Sequence, residues 1–329
     1  MHMPRTLRLL AVPLFLAVLL TGSVPTHAQI PVLDQPSQSC DDPTEAISLF
    51  AEKISKNRYG YGLTPSSASI PGPTLEMTEG ECIQVNLVND TDKKLSMHAH
   101  GVAYTVASDG TPLNKSCVAP GRSRTYVFEA PAPGARADGS VDPGSAGYWH
   151  YHDHCMGTPH GTGGLNAGLF GALIVRRSGD KVPDRPPFVS VFKGTTINLK
   201  KAPETPVFKA NEGERVEFVV IGHGELFHTF HLHGHRWINN RTGYSSDPAQ
   251  TGQLIDNRTV GPADSFGFQV IAGEHVGPGA WMYHCHVQGH SDAGMSGIFM
   301  VRGPGGETPQ SARATLRRFR SSHSAPHHP

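Results

Sequence analysis

Twenty histidines occur in the 329 residues, and those able to act together fall in four short stretches. These are His98-Ala99-His100, His152-Asp153-His154, His228-Thr229-Phe230-His231-Leu232-His233, and His284-Cys285-His286 with His290 and Met295 just beyond. Successive side chains of a strand point to opposite faces, so residues two apart share a face. Each His-x-His therefore offers two imidazoles on one side of a strand. Imidazole is a ligand for copper, zinc, iron or nickel, whereas a thiolate with two imidazoles and a weak thioether is the donor set of blue copper. One such pair would say little. Four of them point to metal chemistry.

Strand parity sorts these residues into two sites. If Cys285 faces the interior, His284 and His286 face away from it. His228 is an odd number of residues from His231 and His233, so it too faces opposite to them. Cys285, His228, His290 and Met295 then form a blue-copper set, with Met295 as the long axial ligand. The remaining eight, His98, His100, His152, His154, His231, His233, His284 and His286, are enough for two copper ions with three imidazoles each and a third with two. Cys285 joins the sites through bonds, because both of its chain neighbours belong to the second set.

The elements that must carry these residues are strands. Cys82–Val88, Thr125–Phe128 and Gly171–Val175 alternate or run apolar between turn residues, and Gly 37 with Pro 27 suits short strands better than long helices. Asp41–Ser55 is expected as one short helix, with Asp42 as N-cap and Pro43 at its first position. The pattern then repeats. Gly213–Val220 resembles Gly80–Leu87, His231-Leu232-His233-Gly234 matches His98-Ala99-His100-Gly101, and Ser296–Val301 matches Phe170–Val175. The end of Ala280–His286 likewise matches that of Gly147–His154, so one β-domain is duplicated. Expected bounds are 29–69 for an N-terminal extension, 70–177 for the first domain, 178–187 for a linker, 188–303 for the second domain and 304–329 for a disordered tail.

From about Ile70 to Val301 the chain resembles multicopper oxidases, specifically the two-domain small laccases. The stretches Tyr148–His154 and His284-Cys285-His286-Val287-Gln288-Gly289-His290 carry the resemblance. It implies two tandem cupredoxin Greek-key barrels, an all-β fold, and four coppers per chain. It assigns His98 and His231 to a type 2 copper, His100, His152 and His286 to one type 3 copper, and His154, His233 and His284 to the other. Phenols or aromatic amines would give electrons at the type 1 copper, and dioxygen would become water at the trinuclear cluster. It further implies a homotrimer with clusters shared between neighbouring subunits. Asp109 and Tyr104 would sit near the type 2 copper as proton relay and electron donor, with Cys285 as the electron link. Asp256 is a candidate partner for a ligand histidine. His150, His160, His223, His235 and His275 match no ligand position, and His323, His327 and His328 lie in the tail.

Opposite Cys285 and His228 the first domain has Asp153 and Leu95, so a blue site is expected only in the second. A copper nitrite reductase would place that site in the first domain. A cuprous oxidase would often carry a methionine-rich segment, whereas the eight methionines here are scattered. Lys+Arg and Asp+Glu are both 28, a balance that gives no electrostatic reason to expect nucleic acid or an anionic membrane. Arg5 and Arg8, the apolar run Leu9–Leu20 and the small residues up to Ala28 read as a secretory signal over residues 1–28, implying a secreted or periplasmic protein. In that setting Cys40, Cys82, Cys117 and Cys155 suggest two disulfides, with three pairings open.

Overall fold

The computed structural model describes residues 45–247 and 252–322, together with Pro43 and the dipeptide Val32–Leu33. The expected signal, Cys40 and the three tail histidines lie outside the described residues.

Two β-barrels follow one another. In the first, one sheet has the order Arg58–Gly62, Glu45–Ser55, Cys82–Asp90, Ser123–Glu129. The other has Leu75–Thr78, Phe170–Arg176, Gly147–His152, His98–Ala99. The second barrel repeats the scheme with Thr196–Ile197, Phe188–Lys193, Arg215–His223, Ser265–Ile271. Facing it is Val207–Asn211, Ser296–Arg302, Gly279–Cys285, His228–Leu232, Asn257–Val260. Parallel pairs recur at equivalent places, Glu45–Ser55 on Cys82–Asp90 and Phe188–Lys193 on Arg215–His223. The duplication read from the sequence is therefore a duplication of topology, and the fold is the all-β, cupredoxin-like one.

Two expectations about local structure are corrected. Glu45–Ser55, within the segment expected as a helix, is a strand, and with Arg58–Gly62 it belongs to the first barrel although it precedes residue 70. Its buried residues Leu49 and Ala51 are two apart, a strand spacing, and pairing along Cys82–Asp90 outweighs the local capping signal. The tail is not simply disordered. Gln310–Ser322 is an α-helix that lays Ala312, Leu316 and Phe319, three or four residues apart, over Ile298 and Met300.

Between the barrels lies a separate apolar layer in which Tyr148, Phe170, Ala172 and Ile174 meet Val191, Val219 and Ile221. Arg176 and Glu217 cross this boundary with a bidentate ion pair, and the Tyr148 hydroxyl donates to the same carboxylate at 2.6 Å. The approach is close enough that a Cβ on Gly267 would lie 2.2 Å from the Tyr148 ring. Residues 178–187 have no regular structure, but Arg241 holds Asp180 by two hydrogen bonds.

Candidate metal centre

The blue-copper set is brought together in the second barrel. Cys285 ends the strand Gly279–Cys285, opposite Phe230 of the neighbouring strand, so parity directs its side chain inward with that phenyl ring. His228 opens the strand His228–Leu232, and His290 lies on the one-turn helix Gln288–Asp292. Cys285 Sγ is 3.8 Å from Nδ1 of His228 and 3.6 Å from Nδ1 of His290. Met295 is fully buried in the same core, and its backbone bonds to both Cys285 and His290. Cys285 is a free thiol. Burial, followed by the nearby His290, pushes the His228 imidazole down to about 4, so it is a neutral donor at ordinary pH.

The eight other histidines form two sets of four. In the first barrel His98 stands opposite His152 across two strands, with His100 and His154 beside them. In the second His231 stands opposite His284, with His233 and His286 beside them. The hydrogen bonds repeat as the strands do. His98 Nδ1–H donates to the carbonyl of Asp109 at 2.6 Å, and His231 Nδ1–H to that of Asp256 at 2.8 Å. His152 and His284 each donate Nδ1–H, at 2.8 Å, to the carbonyl of the next residue, Asp153 or Cys285. A carbonyl only accepts, so in each of these rings Nε2 keeps its lone pair. Nε2 of His100 and His152 face one another at 3.2 Å, and those of His233 and His284 at 3.1 Å. Convergent, desolvated ring nitrogens with fixed tautomers fit a metal ion, and the donor chemistry fits copper. Among the described residues His98, His100 and His152 make one group suited to an ion, and His231, His233 and His284 another; no ring contact or hydrogen bond joins the two sets.

Asp109 and Tyr104 lie beside His98. The tyrosine ring is 6.0 Å from the imidazole, and the carboxylate is 3.7 Å from Nδ1. Burial works to raise the Asp109 carboxyl, but hydrogen bonds from Thr111 and Asn114 outweigh it and hold it below the usual range. Tyr104 is raised by burial and then by the Asp109 charge. Asp256 does partner His231, but through its backbone carbonyl; its carboxylate is 3.8 Å away.

The first barrel's counterpart of the Cys285 site is filled differently. Leu95 is buried where His228 would stand, and Asp153 replaces the cysteine. The buried Asp153 carboxylate accepts backbone N–H groups from Ser96, Cys155 and Met156, at 2.7, 3.2 and 2.8 Å. Burial raises its carboxyl to about 6 against those bonds. Cys155 is bridged to Cys117, and Cys82 is disulfide-bonded as well, which settles one of the pairings left open.

Among the residues assigned no ligand role, His235 has a structural one, donating to the carbonyl of His233 at 3.0 Å and accepting from Gly273 N–H at 3.0 Å. His150 and His223 are buried against the first-barrel set. His150 lies inside the stretch Tyr148–His154 but at no ligand position, and nothing in the sequence links it to His223, because the two come from different barrels and only the fold brings them together.

A tandem cupredoxin-like fold with one thiolate–imidazole site and two facing-imidazole sets defines a class of copper oxidoreductase. The chain belongs to the multicopper oxidase family: multicopper oxidase family profiles match residues 66–180 and 180–304. It is 34% identical over 266 residues to a probable nitrite reductase-hydroxylamine oxidoreductase fusion protein of Kuenenia stuttgartiensis, covering 74% of this chain and 29% of that protein. It is 26% identical to human ceruloplasmin over 275 residues, 70% of this chain and 24% of that one. The chain thus spans about a quarter of the length of these relatives. Among solved structures, the blue copper oxidase of Nitrosomonas europaea has a TM-score of 0.55 at 22% identity, covering 79% of this chain and 86% of that one. A copper nitrite reductase from the same organism has a TM-score of 0.58 at 18% identity, covering 82% and 99%. At these identities the structural likeness speaks for the fold.

Proposed function

We propose that the chain is a laccase-like two-domain oxidase that takes electrons from phenols or aromatic amines at a type 1 site in the second barrel and reduces dioxygen to water at a trinuclear site. The observation that carries this reading is the position of Cys285. Its sulfur faces His228 and His290, while its chain neighbours His284 and His286 belong to the other set. Copper bound at the two sites would accept single electrons and deliver them to dioxygen. Cys285 supplies the covalent path between them, and Asp109, held ionised beside His98, is placed to handle protons. Leu226, Phe227 and Val287, next to or near the ligands His228 and His290 in sequence, are exposed apolar side chains and favour an aromatic donor over an ion.

Each chain holds two sets of four cluster histidines that do not touch. We assign a complete cluster to the first-barrel set of one chain and the second-barrel set of another, in a homotrimer of exported subunits with four coppers per chain. The test is copper content per chain together with absorption and EPR spectra of the fully metallated protein. About four coppers, a blue thiolate band, type 1 and type 2 signals and an EPR-silent pair are expected. About two coppers with no silent pair would replace this reading by the nitrite-reductase-like one that the name of the Kuenenia relative suggests.

A further inference from the structure

His150 and His223 are both almost fully buried, 1% and 2% exposed, and Nε2 of each has no hydrogen-bond partner. His150 lies on the first-barrel strand Gly147–His152, and its Nδ1 reaches Ser265 Oγ of the second barrel only at 3.5 Å. His223 ends the second-barrel strand Arg215–His223, five residues before His228. A buried polar atom left unpaired is unfavourable, so an apolar side chain would ordinarily serve better at either place. What the two rings do make is a set of aromatic contacts with cluster histidines. His150 lies nearly flat on His100, with centroids 4.0 Å apart and planes at 27°. His223 stands edge-on to His150 at 4.9 Å and to His152 at 5.5 Å, and Phe170 lies 5.6 Å from it.

The need for such contacts differs between the rings. His98, His152 and His154 each have Nδ1 fastened to a backbone carbonyl, which fixes both tautomer and ring angle. His100 has no such bond among the described residues; its ring hydrogen bond is the one between its Nε2 and that of His152. Its orientation is therefore left to whatever packs on its face, and that is His150. The second barrel has no imidazole at the equivalent place: the backbone N–H of His100 bonds to the carbonyl of His150, and in the same way that of His233 bonds to the carbonyl of Met282. An imidazole at this position thus belongs to the first barrel, where the second barrel's His223 abuts it.

We propose that His223 and His150 are positioning residues, and that His223, reaching across from the second barrel, holds His150 against His100 and so fixes the His100 and His152 rings for a coupled copper pair. The proposal rests on the cluster reading above. It makes the packing of one barrel on the other part of the metal site, beyond the ligands themselves. The contacts are made by ring faces and edges while Nε2 is unpaired, so ring shape is what matters.

The test compares His223→Ala and His223→Phe in the full-length, copper-loaded protein. EPR-silent copper, total copper less EPR-visible copper, is followed during titration with a chelator, with the blue band as internal control. His223→Ala should keep the blue band and release the silent pair at about 10- to 100-fold lower chelator concentration. His223→Phe, which keeps the ring and removes the nitrogens, should retain the pair as the parent protein does. A silent pair held equally well by His223→Ala overturns the proposal. So does His223→Phe releasing it as readily as His223→Ala. If His223→Ala loses the blue band as well, its fold has failed and the Phe variant decides alone. A parent protein with no silent pair would refute the underlying cluster reading before any variant is compared.

Discussion

Arg176 and Glu217 meet in two parallel hydrogen bonds, 2.7 and 2.8 Å long, in the seam between the barrels. The Glu217 side chain is 1% exposed and that of Arg176 10%. The carboxylate also accepts from Tyr148 and from Gln269, so its lone pairs are well used. The pair ties the last strand of the first barrel to a central strand of the second.

Removing Glu217 leaves the buried Arg176 guanidinium with the partly exposed Glu76 carboxylate, 3.0 Å away, as its remaining ionic partner. Glu217→Ala is expected to cost about 3–5 kcal/mol in unfolding free energy, read from the urea midpoint. Arg176→Met combined with Glu217→Leu should recover most of that loss, because no charge then stays buried. A double variant as unstable as the single one would mean that packing, and not charge, dominates the seam.

The disulfide Cys117–Cys155 closes a loop with a sequence separation of 38. Constraining the unfolded chain over that length contributes about 4 kcal/mol in the chain-entropy account. The Cys117→Ser, Cys155→Ser double variant should unfold at a correspondingly lower urea concentration. A midpoint unchanged from that of the parent protein would show that the bridge adds nothing to stability, and would leave a local role beside His154.

Much of the site was legible because strand parity is an exact alternation. The spacing around Cys285 separates His284 and His286 from it, and the burial of Cys285 between the half-buried His284 and the exposed His286 follows that rule. Leu95 and Asp153 were equally readable as the residues that stand in the first barrel where His228 and Cys285 stand in the second. Glu45–Ser55 was not, since its strand character comes from a parallel partner almost forty residues later that local capping signals cannot announce. The helix Gln310–Ser322 was hidden by its many arginines, and only Ala312, Leu316 and Phe319 reveal the covering face. His150 and His223 were out of reach for the same reason as the ion pair: each belongs to a contact between barrels.

Burial also makes the copper-free protein sensitive to acid. His100 is pushed down to about 4 by burial and then by His98 and His154; His228 is likewise held at about 4. In the unfolded chain both titrate near 6.5. Folded-state values below unfolded ones mean stability that is fully present above about pH 6.5 and lost as pH falls toward about 4. Each residue contributes a slope of at most about 1.4 kcal/mol per pH unit within that window. Urea midpoints of the copper-free protein between about pH 7.5 and 4.5 should fall progressively. Midpoints flat across that range would contradict neutral, buried imidazoles at these sites.

Separation of the two histidine sets within one chain leads to a complementation experiment. His100→Ala damages only the first-barrel set, and His284→Ala only the second-barrel set. Homo-oligomers of either variant then contain no intact cluster. If clusters form between chains, a trimer built from both variants contains a contact at which the intact first barrel of one meets the intact second barrel of the other. Random mixing in equal amounts should restore about a quarter of the sites. Oxidase activity should therefore appear when the two variants are co-expressed or refolded together, although each is inactive alone. If instead each chain completed its own cluster, every chain in the mixture would still carry a lesion, and no activity would return at any mixing ratio.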